Sequence, residues 1–281
     1  IVRVASADSE AKNLLLHKLN QILNLDGYQP LAQRNVFVSY PRNSHLTQTL
    51  SLQAHARVIW GGDESVQTIR QTPSHPRCRD ISFADRYSAC LINGDELRTA
   101  EQVSELASKL WRDTEPHMQQ ACSSPRLVLW LGKKQKQLAL FEELNRLAKV
   151  SFNSPAQANN HLVLSQLLQS TGQSAAPIVK ACILAQPINS FNQDYLGWHQ
   201  GAGAYLVLNI QGVDELAQHV SDKLQTLSYW QVEKNALLKL VENPSIQGID
   251  RVVPVGQALD FSPVWDGYDL CNQLTRQVQI I

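Results

Sequence analysis

The feature that most limits how this chain can fold is an alternation. Short apolar or β-branched runs recur along it, separated by stretches with helical spacing. Strand runs are predicted over 1–5, 35–40, 56–60, 79–83, 87–92, 126–131, 178–184, 205–210 and 251–255. Side chains stiff at χ1 pack well on a pleated surface, which is why such runs read as strands. Between them, Ala11, Leu15, Leu19, Ile22 and Leu23 fall on one helical stripe over 9–23. Thr99 and Gln102 have capping-box spacing and open a helix to Trp111 with Val103, Leu106, Ala107 and Leu110 facing inward. Ser154 before Pro155 reads as a cap followed by proline at the first helical position. Strands separated by helices require parallel pairing through right-handed crossovers, so the expected class is α/β with a doubly wound parallel sheet.

The 281 residues suffice for two modest domains or one large one. The 25 Lys+Arg balance the 25 Asp+Glu, so no net charge points to nucleic acid or a membrane surface as partner. No apolar run approaches the ~20 residues of a membrane-spanning helix. The five cysteines (Cys78, Cys90, Cys122, Cys182 and Cys271) lie apart and lack CxxC spacing. That pattern suits reduced thiols in a cytoplasmic protein rather than a disulfide framework or zinc ribbon. The eight histidines have no ligand spacing, so no metal is expected. The chain opens at Ile1 inside a strand-like run, which predicts a fragment or a processed chain. The longest polar breaks are 71–77 and 185–203, and a domain boundary is expected near 93–98.

Four places carry chemistry. Gly61-Gly62 sits between a strand ending at Trp60 and a helical start at Ser65, where backbone amides can approach a phosphate. A tight turn with no ligand fits the same residues, and Asp63 then acts as a cap or meets a ribose hydroxyl. Cys122 lies in a polar turn, with Arg126 nearby and backbone amides free, an arrangement that favours a thiolate nucleophile. A small core residue is the competing reading. His117 is five residues before Cys122 and is either its base or a helix-surface histidine. His199 stands in the glycine-rich loop 197–203, which is either a functional loop or a flexible linker.

Together, the strand Val2–Ser6, the Gly61-Gly62 turn and the segment Gln120-Ala121-Cys122-Ser123-Ser124-Pro125-Arg126 resemble the aldehyde dehydrogenase superfamily. The resemblance is closest to the acyl-CoA reductases of bacterial luminescence fatty acid reductase complexes. The stretch Gly248–Gly256, continued by Phe261–Leu270, is similar to that subfamily's C-terminal signature, and the likeness covers most of the chain. It implies an incomplete Rossmann-type NADP-binding domain over 1–95 and a catalytic α/β domain over 96–248. Residues 249–281 would pack back on the core. Cys122 matches the catalytic cysteine, and Gln120 the glutamine two residues before it. Gly61 and Gly62 match the diphosphate turn, with Asp63 where the wider superfamily has serine. Arg3 matches the residue that holds the adenosine ribose or its 2′-phosphate, which favours NADP(H). His199 lies in the stretch that replaces the superfamily's nicotinamide-ribose motif.

The resemblance also marks departures. The superfamily's hydrolytic glutamate lies in E-L-G-G, where this chain reads Phe83-Ala84-Asp85-Arg86. The oxyanion-hole asparagine and the first cofactor-domain strands would lie upstream of Ile1. The implied activity is NADPH-dependent reduction of a long-chain fatty acyl-CoA or acyl-protein thioester to the aldehyde through acyl-Cys122. Implied partners are acyl-protein synthetase and transferase subunits and further copies of the chain. Alternatives are a short-chain CoA-acylating aldehyde dehydrogenase and a non-catalytic, acyl-carrying or scaffolding subunit.

Overall fold

The computed structural model describes residues 1–42 and 44–281, which divide into two compact units, Ile1–Ser82 and Phe83–Ile281. The first unit contains β1 (Val2–Val4), α1 (Glu10–Leu23), α2 (Gln29–Ala32), β2 (Phe37–Ser39), α3 (Leu46–Gln53), β3 (Ala56–Trp60), α4 (Asp63–Gln71) and most of β4 (Arg79–Phe83). Here β1 pairs in parallel with β2, and β3 pairs with β4. Ser9 caps α1 by accepting from the Lys12 amide at 3.2 Å, and the apolar stripe forms as spaced. None of its residues is buried, however. The ion pair Arg57–Asp80 joins β3 to β4 through two 2.7 Å bonds. Arg57 also donates to the Ile69 and Thr72 carbonyls, closing the end of α4 with the same guanidinium.

The second unit begins with β5 (Tyr87–Asn93), α5 (Ala100–Arg112), β6 (Pro125–Leu131), α6 (Gln137–Ala148), α7 (Pro155–Ser170), β7 (Val179–Lys180) and β8 (Leu184–Ile188). It continues with α8 (Tyr195–Trp198), β9 (Ala204–Ile210), α9 (Leu216–His219), β10 (Leu224–Trp230), α10 (Lys234–Glu242) and β11 (Arg251–Pro254). A short hairpin, β12 (Val264–Trp265) and β13 (Tyr268–Asp269), precedes α11 (Leu270–Leu274). The sheet order is β11-β10-β5-β6-β9-β8-β7, parallel throughout except for the antiparallel edge strand β7. Strand β5, which the sequence reading put in the first domain, lies inside this sheet. Six of its residues in succession are buried, as a strand covered on both faces requires.

Two further elements differ from the sequence expectation. The run 178–184 is split between β7 and β8 by a turn whose Cys182 and Ile183 amides donate to Asn145 Oδ1 at 2.9 and 3.3 Å. Strand β10 went unread because Gln225, Thr226 and Ser228 are polar, yet each is buried. Strand β5 meets part of this polarity, while Gln225 Oε1 is buried without a hydrogen-bond partner among the described residues. Ser88 Oγ accepts from the Thr226 amide at 3.2 Å, and Ser228 Oγ donates to the Ala89 carbonyl at 3.4 Å.

Helices cover both faces. The α5 residues Val103, Leu106, Ala107 and Leu110 and the α6 residues Leu140, Phe141 and Leu144 pack with Val128, Trp130 and Tyr205. On the other face, Leu164 and Leu168 of α7 and Leu237 and Leu240 of α10 pack with Leu127, Leu129 and Leu206. The capping box forms as spaced: Gln102 N donates to Thr99 Oγ1, and Thr99 N donates to Gln102 Oε1 at 3.1 Å. Ser154 caps α7 through the Gln157 amide.

An ion cluster fastens the C-terminal segment to the sheet. Arg86 pairs with Asp250 and, at 3.3 Å, with the almost fully buried Asp266, while also donating to the Lys223 and Leu224 carbonyls. Burial pushes the Asp266 carboxyl pKa up, with the Arg86 charge opposing that shift. Phe83 meets Tyr268 edge-on at 5.8 Å beside this cluster. Removing one member of a buried pair strands the other charge, at a cost of about 3–5 kcal/mol. Arg86→Met is therefore expected to lower denaturant stability by about 3 kcal/mol or more. Thr99→Ala, on an exposed cap, should cost only about 1 kcal/mol.

Candidate active site

Cys122 lies exposed in the turn that leads into β6. The backbone before it is unusual: His117, Met118 and Gln119 have φ of 56°, 52° and 61°. Three successive non-glycine residues in the left-handed region are costly and persist only where surroundings over-determine them. Here the Gln119 side chain does so. It is fully buried, its Nε2 donates to the carbonyls of Pro125 and Ala204 at 2.8 Å each, and its Oε1 accepts from the Gly203 amide at 2.9 Å.

Those contacts lace the cysteine turn to the glycine-rich loop. The Ala202 amide donates to the Met118 carbonyl at 2.8 Å. A Cβ on Gly201 would stand 2.5 Å from the same oxygen, and φ is +72°, so only glycine fits. Ala202 is itself left-handed at 57°, and its carbonyl accepts from Gln157 Nε2 at 2.8 Å and from His161 Nε2 at 3.0 Å. His199 is buried between these turns. The Gly201 amide donates to its Nδ1 at 3.1 Å, which assigns the hydrogen to Nε2, and Nε2 donates to the Ala204 carbonyl at 2.9 Å. Burial, and secondarily the Arg126 charge, push the imidazole pKa down to about 3. His199 is thus a neutral brace for its loop.

The sheet end beside Cys122 is irregular. Pro125 pairs with Ser88 and Leu127 with Ala89, so Arg126 is an extra residue in a bulge. Across Ser88, Gln225 is extra between Leu224 and Thr226. Ser88 Oγ donates to the Cys122 carbonyl at 2.7 Å and so holds the turn from below. Arg126 Nε is buried without a hydrogen-bond partner. Burial pushes the guanidinium pKa down, with the neighbouring Cys122 and Asp85 charges opposing. His117 is exposed on the strained turn rather than on a helix surface. Strand β4 ends at Phe83, so Asp85 lies beyond it and does not share its face.

In the first unit, Arg3, Gly61 and Gly62 line one cavity of about 890 Å³, together with Arg42, Trp60 and Ser65. Asp63 begins α4 but is not among the lining residues, whereas Glu64 is. Arg3 donates to the Tyr40 carbonyl at 3.0 Å and stacks 4.8 Å over the Tyr40 ring. Gly62 caps α4 with extended backbone and no side-chain bond, and a Cβ on Gly61 would come 3.2 Å from Ser65 Cβ. Among the described residues no group of His, Cys, Asp or Glu is placed to hold a metal ion, and no helix is long and apolar enough to cross a membrane. Sequence reading missed Gln119, Ser88, Gln157 and His161, whose roles lie wholly in long-range hydrogen bonds. The only local signal for Gln119 was its place three residues before Cys122.

The sequence profile of the acyl-CoA reductase (LuxC) family matches residues 1–169. The chain belongs to that family. No curated protein matches it. Among solved structures, the acyl-CoA reductase chain is similar to an NAD-dependent aldehyde dehydrogenase from Sinorhizobium meliloti. Identity is 14% with a TM-score of 0.60, covering 93% of this chain and 54% of that one. It is also similar to Staphylococcus aureus AldH in a substrate-bound state, at 12% identity and TM-score 0.54 over 79% of this chain and 51% of that one. Bradyrhizobium japonicum proline utilization A matches at 12% identity and TM-score 0.57, over 90% and 27%. The fold is therefore that of aldehyde dehydrogenases, and the chain spans about half the length of the first two.

The neutrality of His199 has a sign in pH. Its unfolded value is 6.5 and its folded value about 3, so the unfolded chain binds the extra proton between them. Stability from this residue is full above pH 6.5 and is lost as pH falls toward 3. Denaturant titrations at pH 7, 6 and 5 should show that loss. His199→Gln should flatten the slope without abolishing it, since burial also lowers the His161 pKa.

Proposed function

We propose that this protein reduces a long-chain fatty acyl thioester to the aldehyde, with Cys122 as the acyl acceptor and NADP(H) as cofactor. The observation that carries the reading is Cys122 itself: an exposed thiol on an over-determined turn, in a member of the acyl-CoA reductase family. Strain held at a turn by buried hydrogen bonds fixes the direction of a nucleophile. In the first step the Cys122 sulfur bonds to the acyl carbonyl carbon. The bond from that carbon to the donor sulfur breaks, and the departing thiolate takes up the Cys122 proton. The Cys122 amide is the oxyanion donor available from this chain. Arg126, on its bulge, supplies positive charge beside the sulfur.

The cavity in the first unit suits a dinucleotide. Gly61 and Gly62 bring backbone close at the start of α4, and Arg3 and Arg42 add two positive charges suited to a 2′-phosphate. When bound, the nicotinamide supplies the hydride. Cys122 sulfur is the leaving group that frees the aldehyde. Where the hydrolytic superfamily keeps its base, β4 ends on Phe83, which is buried against Tyr268, and the carboxylate of that strand, Asp80, is held by Arg57. The acyl-enzyme therefore waits for a hydride or a returning thiol.

Labelled acyl-CoA tests the nucleophile. Cys122→Ser should lose both label and aldehyde, whereas Cys90→Ala should keep both, because burial pushes the Cys90 thiol pKa up to about 12. Acyl-enzyme formed without NADPH should survive gel filtration and give aldehyde when NADPH is added. Rapid decay to free fatty acid would reveal a water-activating base. Label without aldehyde would mark a carrier subunit. For the cofactor, kcat/KM should favour NADPH over NADH, and Arg3→Ala should narrow the preference by about ten-fold, the worth of one charge-assisted contact.

A further inference from the structure

The sheet of the second unit has a second crevice, at the end of the strands opposite to Cys122. Strands β5 and β10 are adjacent and parallel, and the chain leaves them in opposite directions. After β5 it enters α5, which packs on the face of Val128 and Trp130, and after β10 it enters α10, which packs on the face of Leu127 and Leu129. Connections that part to opposite faces open a crevice outside the carboxyl ends of the strands, the usual place for a ligand in such sheets. A comparable junction between β6 and β9 is bridged by Gln137 Nε2 donating to Asn209 Oδ1 at 2.7 Å. Between β5 and β10 there is instead a cavity of about 550 Å³, within the roughly 300–1,000 Å³ of small-molecule sites.

Two tryptophans give an internal comparison. Trp130 on β6 and Trp230 on β10 both pair with Ile92, one on each side of β5, and both belong to the same core face. The Trp130 indole N–H donates to the Lys133 carbonyl at 2.9 Å. Trp230 lines the cavity, is only 6% exposed, and its Nε1 has no hydrogen-bond partner among the described residues. Buried indole N–H groups normally find an acceptor. The backbone turns sharply just after it, since Gln231 has φ of 51° and its carbonyl is held by Asn93 Nδ2 at 3.0 Å.

The surrounding charges indicate what that acceptor is. Lys109, which also meets Glu105 at 2.7 Å, lies 5.2 Å over the Trp230 ring, and Lys234 stands at the first position of α10. That helix has no side-chain cap bond and no acidic residue in its first turn, so its leading amides favour an anion. Of the two carboxylates on the lining, Glu96 is engaged by Arg98 at 3.0 Å, and Glu233 remains as an acceptor for hydroxyl groups. We propose that this crevice binds a small hydroxylated molecule through a phosphate or carboxylate group, which accepts from the Trp230 indole N–H and from Lys109 and Lys234.

Indole N–H resonances read this site directly. The chain has six tryptophans, and Trp230→Phe identifies the resonance of interest. The unmodified protein is titrated with ribose 5-phosphate, with gluconate, and with ribose as the uncharged control. The expected result is a saturable movement of the Trp230 signal at millimolar ribose 5-phosphate or gluconate. Whichever anion is stronger assigns phosphate or carboxylate as the recognised group. The exposed change Lys234→Gln should leave the spectrum folded and weaken binding by about ten-fold. If neither anion moves the signal, the indole is satisfied by water and the proposal fails. It fails equally if ribose alone moves the signal as far, or if Lys234→Gln binds unchanged. Acylation of Cys122 is read separately and does not depend on any of these outcomes.

Discussion

Gln119 holds together the part of the structure that presents Cys122. One primary amide satisfies three backbone groups from two loops, and both its hydrogens and its oxygen are spent inside the protein. A buried amide this fully used rigidifies what it touches, because any alternative conformation leaves several polar groups unpaired in a low-dielectric interior. The three left-handed residues ending at Gln119 are the counterpart of that restraint. Backbone bonds inside the turn, from the Gln119 amide to the Thr114 carbonyl and from the Gln120 amide to the His117 carbonyl, support that conformation, and the side-chain amide and the Ala202–Met118 bond fix both its ends.

The same economy extends across the sheet end. Ser88 receives the Thr226 amide and donates to the Cys122 carbonyl, so one hydroxyl joins three successive strands in space. The bulges at Arg126 and Gln225 fall on either side of it. A bulge re-aims a side chain without moving the rest of a strand, which is how a charged residue comes to lie beside a thiol at the edge of an apolar core. Arg86, three residues before β5 reaches Ala89, gathers Asp250 and Asp266 from the C-terminal segment. That segment is thus part of the sheet's electrostatics, and the Arg86 charge opposes the upward push that burial gives the Asp266 pKa.

Much of the fold could be read from local patterning. The α5 capping box, the Ser154-Pro155 start of α7 and the apolar runs of β5, β6 and β9 each rest on spacing within a few residues, and each formed. Strand β10 could not be read that way, since its polar Thr226 and Ser228 are buried against β5, where Ser88 Oγ accepts from the Thr226 amide and the Ala89 carbonyl accepts from Ser228 Oγ. The stripe of α1, none of it buried, shows the converse: periodicity states which residues share a face, not what covers it. In the candidate sites, the Gly61-Gly62 turn and the Cys122 turn were visible as polar or glycine-rich breaks next to apolar runs. That Arg3 shares a site with Gly61 followed from the family resemblance and from no local pattern, since the two are far apart in the chain.

The sequence by itself determined the α/β class, the family and the turn in which Cys122 sits, because each is encoded in residue type and short spacing. Tertiary structure alone decided that His199 is a neutral brace, that Gln119 and Ser88 hold the thiol turn, and that Arg126 stands on a bulge. It also decided that two tryptophans at one level of the sheet differ in whether their N–H groups are satisfied. The reason is common to all four. Hydrogen-bond partners and desolvation are set by groups tens to more than a hundred residues away, and no local pattern records which of them will meet.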